Sequence, residues 1–441
     1  MIEIVPQDPV VKRIIGTQQV SNREYNWSQY VIKKICDDGI LLYHTLSCEL
    51  LLLKADEREE YSHKYLIENW FLVTLEFDEF EFAKKVKKLR QLLYRTESDK
   101  PIERYWILTT TDCNARCFYC HEKGIPLQEM TKETAIKVVE YIKTNSPQTE
   151  IEVVWYGGEP LLGKETINII CDALKENGVT YTSKSISNGY LFDKDVVKQA
   201  REMWHLKEIQ ITLDGLEQTY NRVKNYKDTE SESPFWRVIN NIELLLKNEI
   251  QVIVRLNVDE YNKDELGYLS KLLIDRFCHY HAFSIYTAPL FEDCLGTTKK
   301  RTEQERIKVY NVHHELSDWL NRNGVLTKTK LAKRMKSARN CIAVSNTRVI
   351  FPDGQLAFCH DYVKGVLSGN IYGEAPDAEK RLEYTECLPE KAECARCVKY
   401  PQCVRLSKCF NNKCNKQLLE DWIWSVQNEM AWEYEAWCQD I

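Results

Sequence analysis

The residues with the clearest chemistry are cysteines. Positions 111–120 read Thr111-Asp112-Cys113-Asn114-Ala115-Arg116-Cys117-Phe118-Tyr119-Cys120, which places three thiols within eight positions. Thiolates are soft ligands that suit zinc or an iron–sulfur cluster. A structural zinc site closes with four ligands, and the one further ligand close at hand is His121. Three thiols on a four-iron cube leave one iron open for chemistry instead. A second group fills the last quarter of the chain: Cys341, Cys359, Cys387, Cys394, Cys397, Cys403, Cys409 and Cys414. Eight thiols fit two four-iron cubes, and equally a pair of zinc-ribbon sites, because each takes four ligands. The other six of the 17 cysteines are Cys36, Cys48, Cys171, Cys278, Cys294 and Cys438. They read as core or surface thiols, since free cysteine is among the most buried residue types.

The elements that must hold these loops follow from hydrophobic patterning. Strand-like runs at 105–110, 151–156, 181–187, 208–214, 251–258 and 282–287 alternate with helical patterns. In one of these, Thr131 precedes Ala135, Val139 and Ile142 at helical spacing, with Thr131 as N-cap. Six strands separated by helices imply parallel βα units. Six are fewer than the eight of a closed barrel, so an open α/β barrel of (β/α)6 TIM type is expected. Such folds carry active sites on the loops at the C-terminal strand ends. The three-cysteine loop follows the first of these strands. The second ends in Tyr156-Gly157-Gly158-Glu159-Pro160, where two glycines allow a close backbone approach and Glu159 offers a carboxylate. The third ends in Ser187-Asn188-Gly189 and the fourth in Asp214-Gly215. Arg222 follows in a helical stretch, and Arg255 and Asn257 share one face of the fifth strand.

The Cys-x3-Cys-x2-Cys loop, with an aromatic residue before its last cysteine, resembles the signature of the radical S-adenosylmethionine (SAM) enzymes. The resemblance implies that Cys113, Cys117 and Cys120 bind a [4Fe–4S] cluster whose open iron is chelated by SAM, and that Tyr119 lies near the adenine. Gly157-Gly158-Glu159-Pro160 resembles the family motif that holds the SAM amino group. By the same likeness Ser187, Asn188 and Asp214 face SAM. Arg222 or Arg255 could pair with its carboxylate by a charge-assisted fork, the alternative for each being a solvated arginine or a structural ion pair. The C-terminal run, from Cys341 through Gly354 and Cys359 to Cys403, resembles the SPASM domain of enzymes that modify peptides and proteins. It departs from that pattern at Cys409 and Cys414, which are spaced differently. Carried over, the likeness implies two auxiliary [4Fe–4S] clusters: one on Cys341, Cys359, Cys409 and Cys387, the other on Cys394, Cys397, Cys403 and Cys414. In sulfatase-maturating relatives an Asp follows the SPASM cysteine directly. Here Cys359 is followed by His360 and then Asp361, and either could take a proton.

The division expected along the chain is an N-terminal α+β subdomain (1–100), the radical SAM partial barrel (101–295), a helical connector (296–340), the SPASM segment (341–416) and a closing helix (417–441). In the first of these, strands at 29–36 and 40–45 meet at Asp38-Gly39, an apolar run continues over 47–54, and 80–93 reads as a helix. It is compatible with a leader-recognition element that adds a peptide strand to a sheet edge, and equally with a cap over the barrel. The chain has 441 residues, 44% hydrophobic and 29% charged, with a formal net charge of -6. That balance gives no electrostatic footprint for nucleic acid or an anionic membrane. No apolar run approaches a membrane span, and the start has no signal-peptide pattern, so a cytoplasmic setting is expected. The resemblance then implies a precursor peptide with a leader sequence as substrate and a flavodoxin- or ferredoxin-type electron donor. The expected reaction is hydrogen abstraction and an intrapeptide cross-link. Sulfatase-type maturation, peptide epimerisation and a non-catalytic zinc module are the alternatives.

Overall fold

The structure, a computed structural model, describes the chain except for residues 55–58, 96–100, 148–149, 228–231, 291, 293–299, 330, 332–345, 361–366, 377–378, 381–385, 408, 410–412 and 441. Cys294, Cys341 and Asp361 lie outside the described residues. The chain gathers into two compact units that do not follow chain order. One comprises Met1–Asp99, Lys328–Ser345 and Tyr384–Ile441; the other comprises Lys100–Thr327 and Asn346–Glu383.

In the first unit, β1 (Ile2–Val5), β3 (Val31–Cys36), β4 (Gly39–His44) and β5 (Glu49–Lys54) form an antiparallel sheet in the order β1-β5-β4-β3, while β2 (Tyr25–Trp27) pairs with β6 (Leu72–Thr74). The expected hairpin is present, with Cys36 opposite Gly39. Helices α1 (Pro9–Ile15), α2 (Glu59–Glu68) and α3 (Glu79–Arg95) complete the N-terminal part. Asp8 caps α1 by accepting the Val10 and Val11 N–H groups. Strands β4 and β5 read as continuous apolar runs because both of their faces are buried. Leu41, Tyr43, Leu50 and Leu52 join a core with Val426 and Met430 of the closing helix, Lys416–Asp440. Leu42 and Leu51 pack with Leu66, Ile67 and Phe71 on the other side. The N-terminal sheet and the last helix, expected as separate parts, therefore share one core.

The second unit is built on β7 (Arg104–Leu108), β8 (Ile151–Tyr156), β9 (Tyr181–Ser187), β10 (Leu206–Leu213), β11 (Gln251–Val258) and β12 (Phe283–Pro289). All six expected strands are present, within two residues at each end. They are parallel and in sequential order. Helices α4 (Lys132–Asn145), α5 (Lys164–Glu176), α6 (Lys194–Glu202), α7 (Glu217–Lys224), α8 (Pro234–Lys247), α9 (Leu266–Phe277) and α10 (Glu303–Arg322) follow the strands. Thr131 caps α4 by accepting the Thr134 N–H at 3.2 Å, and Thr302 and Glu305 form a capping box on α10. One sheet face buries Val153, Trp155, Ile209, Val252 and Val254 against the helices. The opposite, inward face carries Trp106 and Tyr156 and an ion-pair ladder: Arg104–Glu152 (2.5 Å), Glu152–Lys184 (3.3 Å) and Lys184–Glu208 (3.4 Å). Beyond β7 the sheet continues into parallel β13 (Thr347–Ile350) and then the antiparallel β14 (Gln355–Ala357) and β15 (Leu367–Asn370). The segment expected as one SPASM domain is thus divided: 346–383 lies in the barrel unit and 384–416 in the unit of the N-terminal sheet.

Candidate active site

The loop after β7 is pinned at both flanks. Asp112 Oδ1 accepts the Cys113 N–H at 2.8 Å and pairs with Arg116 at 3.2 Å and Lys227 at 3.4 Å. Burial works against the charge on Asp112, but these donors hold its carboxyl below the usual range. At the end of α7, Lys224 O accepts the Arg116 N–H at 2.7 Å, and just past the helix Lys227 donates its N–H to Asn114 O at 2.7 Å. The loop so held presents Cys113, Cys117 and Cys120, all half-buried free thiols. Burial, then Glu159 and the neighbouring sulfurs, pushes Cys113 up to about 12. Burial followed by Glu122 pushes Cys120 up to about 11, and burial raises Cys117 against the pull of Lys224. A metal ion bound by such thiols would displace their protons to solvent and supply the positive charge that the site lacks. The donor set therefore fits a thiolate-bound metal centre. His121, the ligand that a closed zinc site would borrow, places Nε2 2.9 Å from the Tyr156 hydroxyl.

The second loop fits against the first, backbone to backbone. Gly157 has φ +120°, and a Cβ there would lie 2.4 Å from Thr110 O; one on Gly158 would lie 2.0 Å from Asp112 O. The close approach expected of these glycines is made to the cysteine loop itself rather than to a ligand. Glu159, fully buried, donates its N–H to Asp112 O at 2.8 Å. Its side chain accepts the Ser187 hydroxyl at 2.7 Å and the Asn188 N–H at 2.9 Å. Burial raises its carboxyl to about 6, against these donors. Asn188 Nδ2 reaches Asn114 Oδ1 at 2.6 Å, which ties the third strand end to the cysteine loop.

Asp214, at the end of β10, is a hub. Its Oδ2 accepts the Tyr119 hydroxyl at 2.7 Å and pairs with Lys224 Nζ at 3.0 Å; its Oδ1 accepts Asn257 Nδ2 at 2.8 Å. Asn262 Nδ2 donates to Asp214 O at 2.8 Å. Arg255 Nε donates to Asn257 Oδ1 at 2.9 Å, so Arg255 joins the same network. Arg222 does not: it is on the exposed face of α7, whose buried residues are Tyr220, Val223 and Lys224. The buried cation at this place is Lys224. Burial penalises its charge, but Asp214 and the Cys117 sulfur outweigh that and hold it protonated. Sequence reading missed Lys224 because a lysine on a polar helix reads as solvated; Asn262 and Tyr156 also carried no signal of their own.

His360 follows β14. Its ring stacks on Trp106 (4.1 Å, 5°) and meets Tyr156 edge-on (5.1 Å, 85°), which puts it against the inward face of β7 and β8. Cys359, half-buried, precedes it in the barrel unit. In the other unit Cys387 pairs across to Leu406, and the Cys409 N–H donates to Leu406 O at 3.1 Å. Burial, and after it the Cys403, Cys414 and Cys394 sulfurs, push the Cys397 thiol up.

Residues 107–273 match the model of the radical SAM superfamily. They form a radical SAM domain. Curated relatives include a probable GTP 3',8-cyclase of Archaeoglobus fulgidus, 26% identical over 40% of this chain and 56% of its own length. The radical SAM cyclopropyl synthase TigE of Paramaledivibacter caminithermalis is 23% identical over 49% of this chain and 47% of its own length. A serine-type anaerobic sulfatase-maturating enzyme of Klebsiella aerogenes is 24% identical over 65% of this chain and 74% of its own length. The chain spans about half the length of the first of the curated relatives it matches. Two solved structures share the fold. anSMEcpe with bound AdoMet has a TM-score of 0.58 at 16% identity, covering 76% of this chain and 99% of that one. Streptococcus suis SuiB bound to precursor peptide SuiA has 0.53 at 11%, covering 89% and 99%. The radical SAM domain spans the cysteine loop, both glycines, Glu159, Asp214 and Lys224, and its family works with a [4Fe–4S] cluster and SAM.

Proposed function

We propose that this protein is a radical SAM enzyme that modifies a ribosomally made peptide, joining two of its residues through a C–C, C–O or thioether bond. The observation that carries the reading is the gathering of Cys113, Cys117 and Cys120 beside buried Glu159 at the C-terminal ends of parallel strands. The cluster and SAM, when bound, supply a 5′-deoxyadenosyl radical that abstracts hydrogen from an unreactive carbon. The chain's own residues do the rest. The three thiols hold the iron. Glu159, fixed by Ser187 and Asn188, offers its remaining lone pairs to the SAM ammonium. Tyr119, clamped by Asp214 and Lys224, lines the adenine side, and Arg255 serves the carboxylate. His360, wedged between Trp106 and Tyr156, is the group that takes a proton from the substrate, with Asp361 its alternative. Cys394, Cys397, Cys403 and Cys414 hold one auxiliary [4Fe–4S] cluster, and Cys341, Cys359, Cys387 and Cys409 a second. A precursor peptide and a flavodoxin- or ferredoxin-type donor are the proposed partners. Support for the peptide comes from fold neighbours solved with peptides.

The test is anaerobic co-expression with any short open reading frame that lies beside the gene, followed by mass spectrometry. A loss of two hydrogens together with a stretch that resists fragmentation between the joined residues is expected. Cys117→Ala should abolish release of 5′-deoxyadenosine; release at the parent rate overturns the site. Sulfatase-type maturation is the second reading, favoured by the Klebsiella relative's coverage of 65% of the chain. It would give a hydrazine-reactive aldehyde and ordinary fragmentation.

A further inference from the structure

Tyr30 stands just ahead of β3 and is 1% exposed. Its backbone is fixed: its N–H donates to Ser28 Oγ at 3.2 Å, and its carbonyl accepts the Thr45 N–H at 2.8 Å. Its phenol oxygen is buried and has no hydrogen-bond partner. Glu79, the nearby carboxylate, is engaged by the Ser28 hydroxyl at 2.5 Å and the Gln29 N–H at 3.2 Å, and the Gln29 side chain acts on the phenol as a donor, not as an acceptor of its O–H. A buried phenol left without an acceptor is destabilising, so the surroundings should hold an acceptor for it. The apolar cluster that encloses Tyr30 ends on Cys394 and Cys397.

The cysteine segment is bolted to this part of the sheet. Gln402 Nε2 donates to Tyr43 Oη at 2.8 Å, to Thr45 O at 2.9 Å and to Cys48 Sγ at 3.4 Å. Thr45 Oγ1 donates to Val398 O at 2.7 Å. Tyr400 packs edge-on to Phe80 at 4.9 Å, under Lys87, and its own hydroxyl is used on Glu390 at 2.8 Å. One phenol beside the cysteines is therefore spoken for, and the other is free to donate.

We propose that Tyr30 donates its O–H to a sulfur of the centre held by Cys394, Cys397, Cys403 and Cys414, so that the N-terminal subdomain sets the reduction potential of that centre. The inference rests on the reading of those cysteines as iron–sulfur ligands. Hydrogen bonds to cluster sulfurs stabilise the more negative, reduced state and raise the potential. The same contact gives the subdomain a role beyond any recognition of a leader peptide.

The experiment is a redox titration followed by low-temperature electron paramagnetic resonance. It uses the full chain with Cys113, Cys117 and Cys120 replaced by Ala, so that only the C-terminal centres report. Tyr30→Phe should keep its iron and move one midpoint to lower potential, by about tenfold in the reduction equilibrium or ~59 mV for one electron. Tyr400→Phe, which removes a hydroxyl already committed to Glu390, should leave the midpoint in place. Loss of about four irons in Tyr30→Phe with an unchanged melting temperature overturns the tuning role, because the residue would then hold the centre in place rather than set its potential. Unmoved midpoints at full iron content overturn it. Zinc without iron at these cysteines overturns the cluster reading and the inference with it, and metal analysis shows this before any potential is measured.

Discussion

At the scale of single residues the site depends on atoms that are absent as much as on those present. Gly158 lets Glu159 reach the cysteine loop because a Cβ would fall 2.0 Å from Asp112 O. Gly158→Ala must push the two loops apart. We expect 5′-deoxyadenosine release to fall by about 100-fold or more, as for a ~1 Å misplacement, with the C-terminal iron retained; a rate within twofold of the parent would refute the packing argument. Lys224 shows where sequence reasoning stops. Its helix is polar apart from Tyr220 and Val223, so Arg222 and Lys224 look alike in the chain. Helical phase separates them: Lys224 falls on the same face as Tyr220, and Arg222 turns to solvent. A cation forced into the interior needs a buried anion, and Asp214, 3.0 Å away, is that anion.

At the scale of elements, the six parallel strands were legible because each is a short apolar or alternating run bounded by turn residues, and the candidate-site loops were legible because they end those strands. The pairing of the N-terminal sheet with the closing helix was not. Contacts between residues some 390 positions apart, such as Gln427 with Lys33 O at 3.0 Å, leave no periodic imprint on either segment. The helix itself was expected as a simple amphipathic cap; its particular partners are Leu41, Tyr43, Leu50 and Leu52. Met430, fully buried among them, should cost about 2–5 kcal/mol when cut to Ala, read as an earlier urea transition. An unshifted transition would mean that the helix does not close this core.

For the whole molecule, the cysteine count and its distribution over two units lead to one number. Reconstituted protein should carry about twelve irons and twelve sulfides, the content of three cubes. Replacing Cys394 and Cys397 by Ala should remove about four of each while leaving 5′-deoxyadenosine formation from SAM measurable. Iron that stays at about twelve in that variant would contradict the ligand set. No helix among the described residues is long and apolar enough to cross a membrane, and the formal charge of -6 favours no polyanionic partner.

The sharing of one core by Met1–Asp99 and Tyr384–Ile441 has a consequence for synthesis. On the ribosome the first hundred residues emerge with an oily sheet surface whose cover has not yet been translated. At roughly 5–20 residues per second the wait lasts tens of seconds. Nascent chains stalled before the last helix should therefore be substrates for chaperones and proteases, and a premature stop codon within that helix should send an otherwise intact barrel into inclusion bodies.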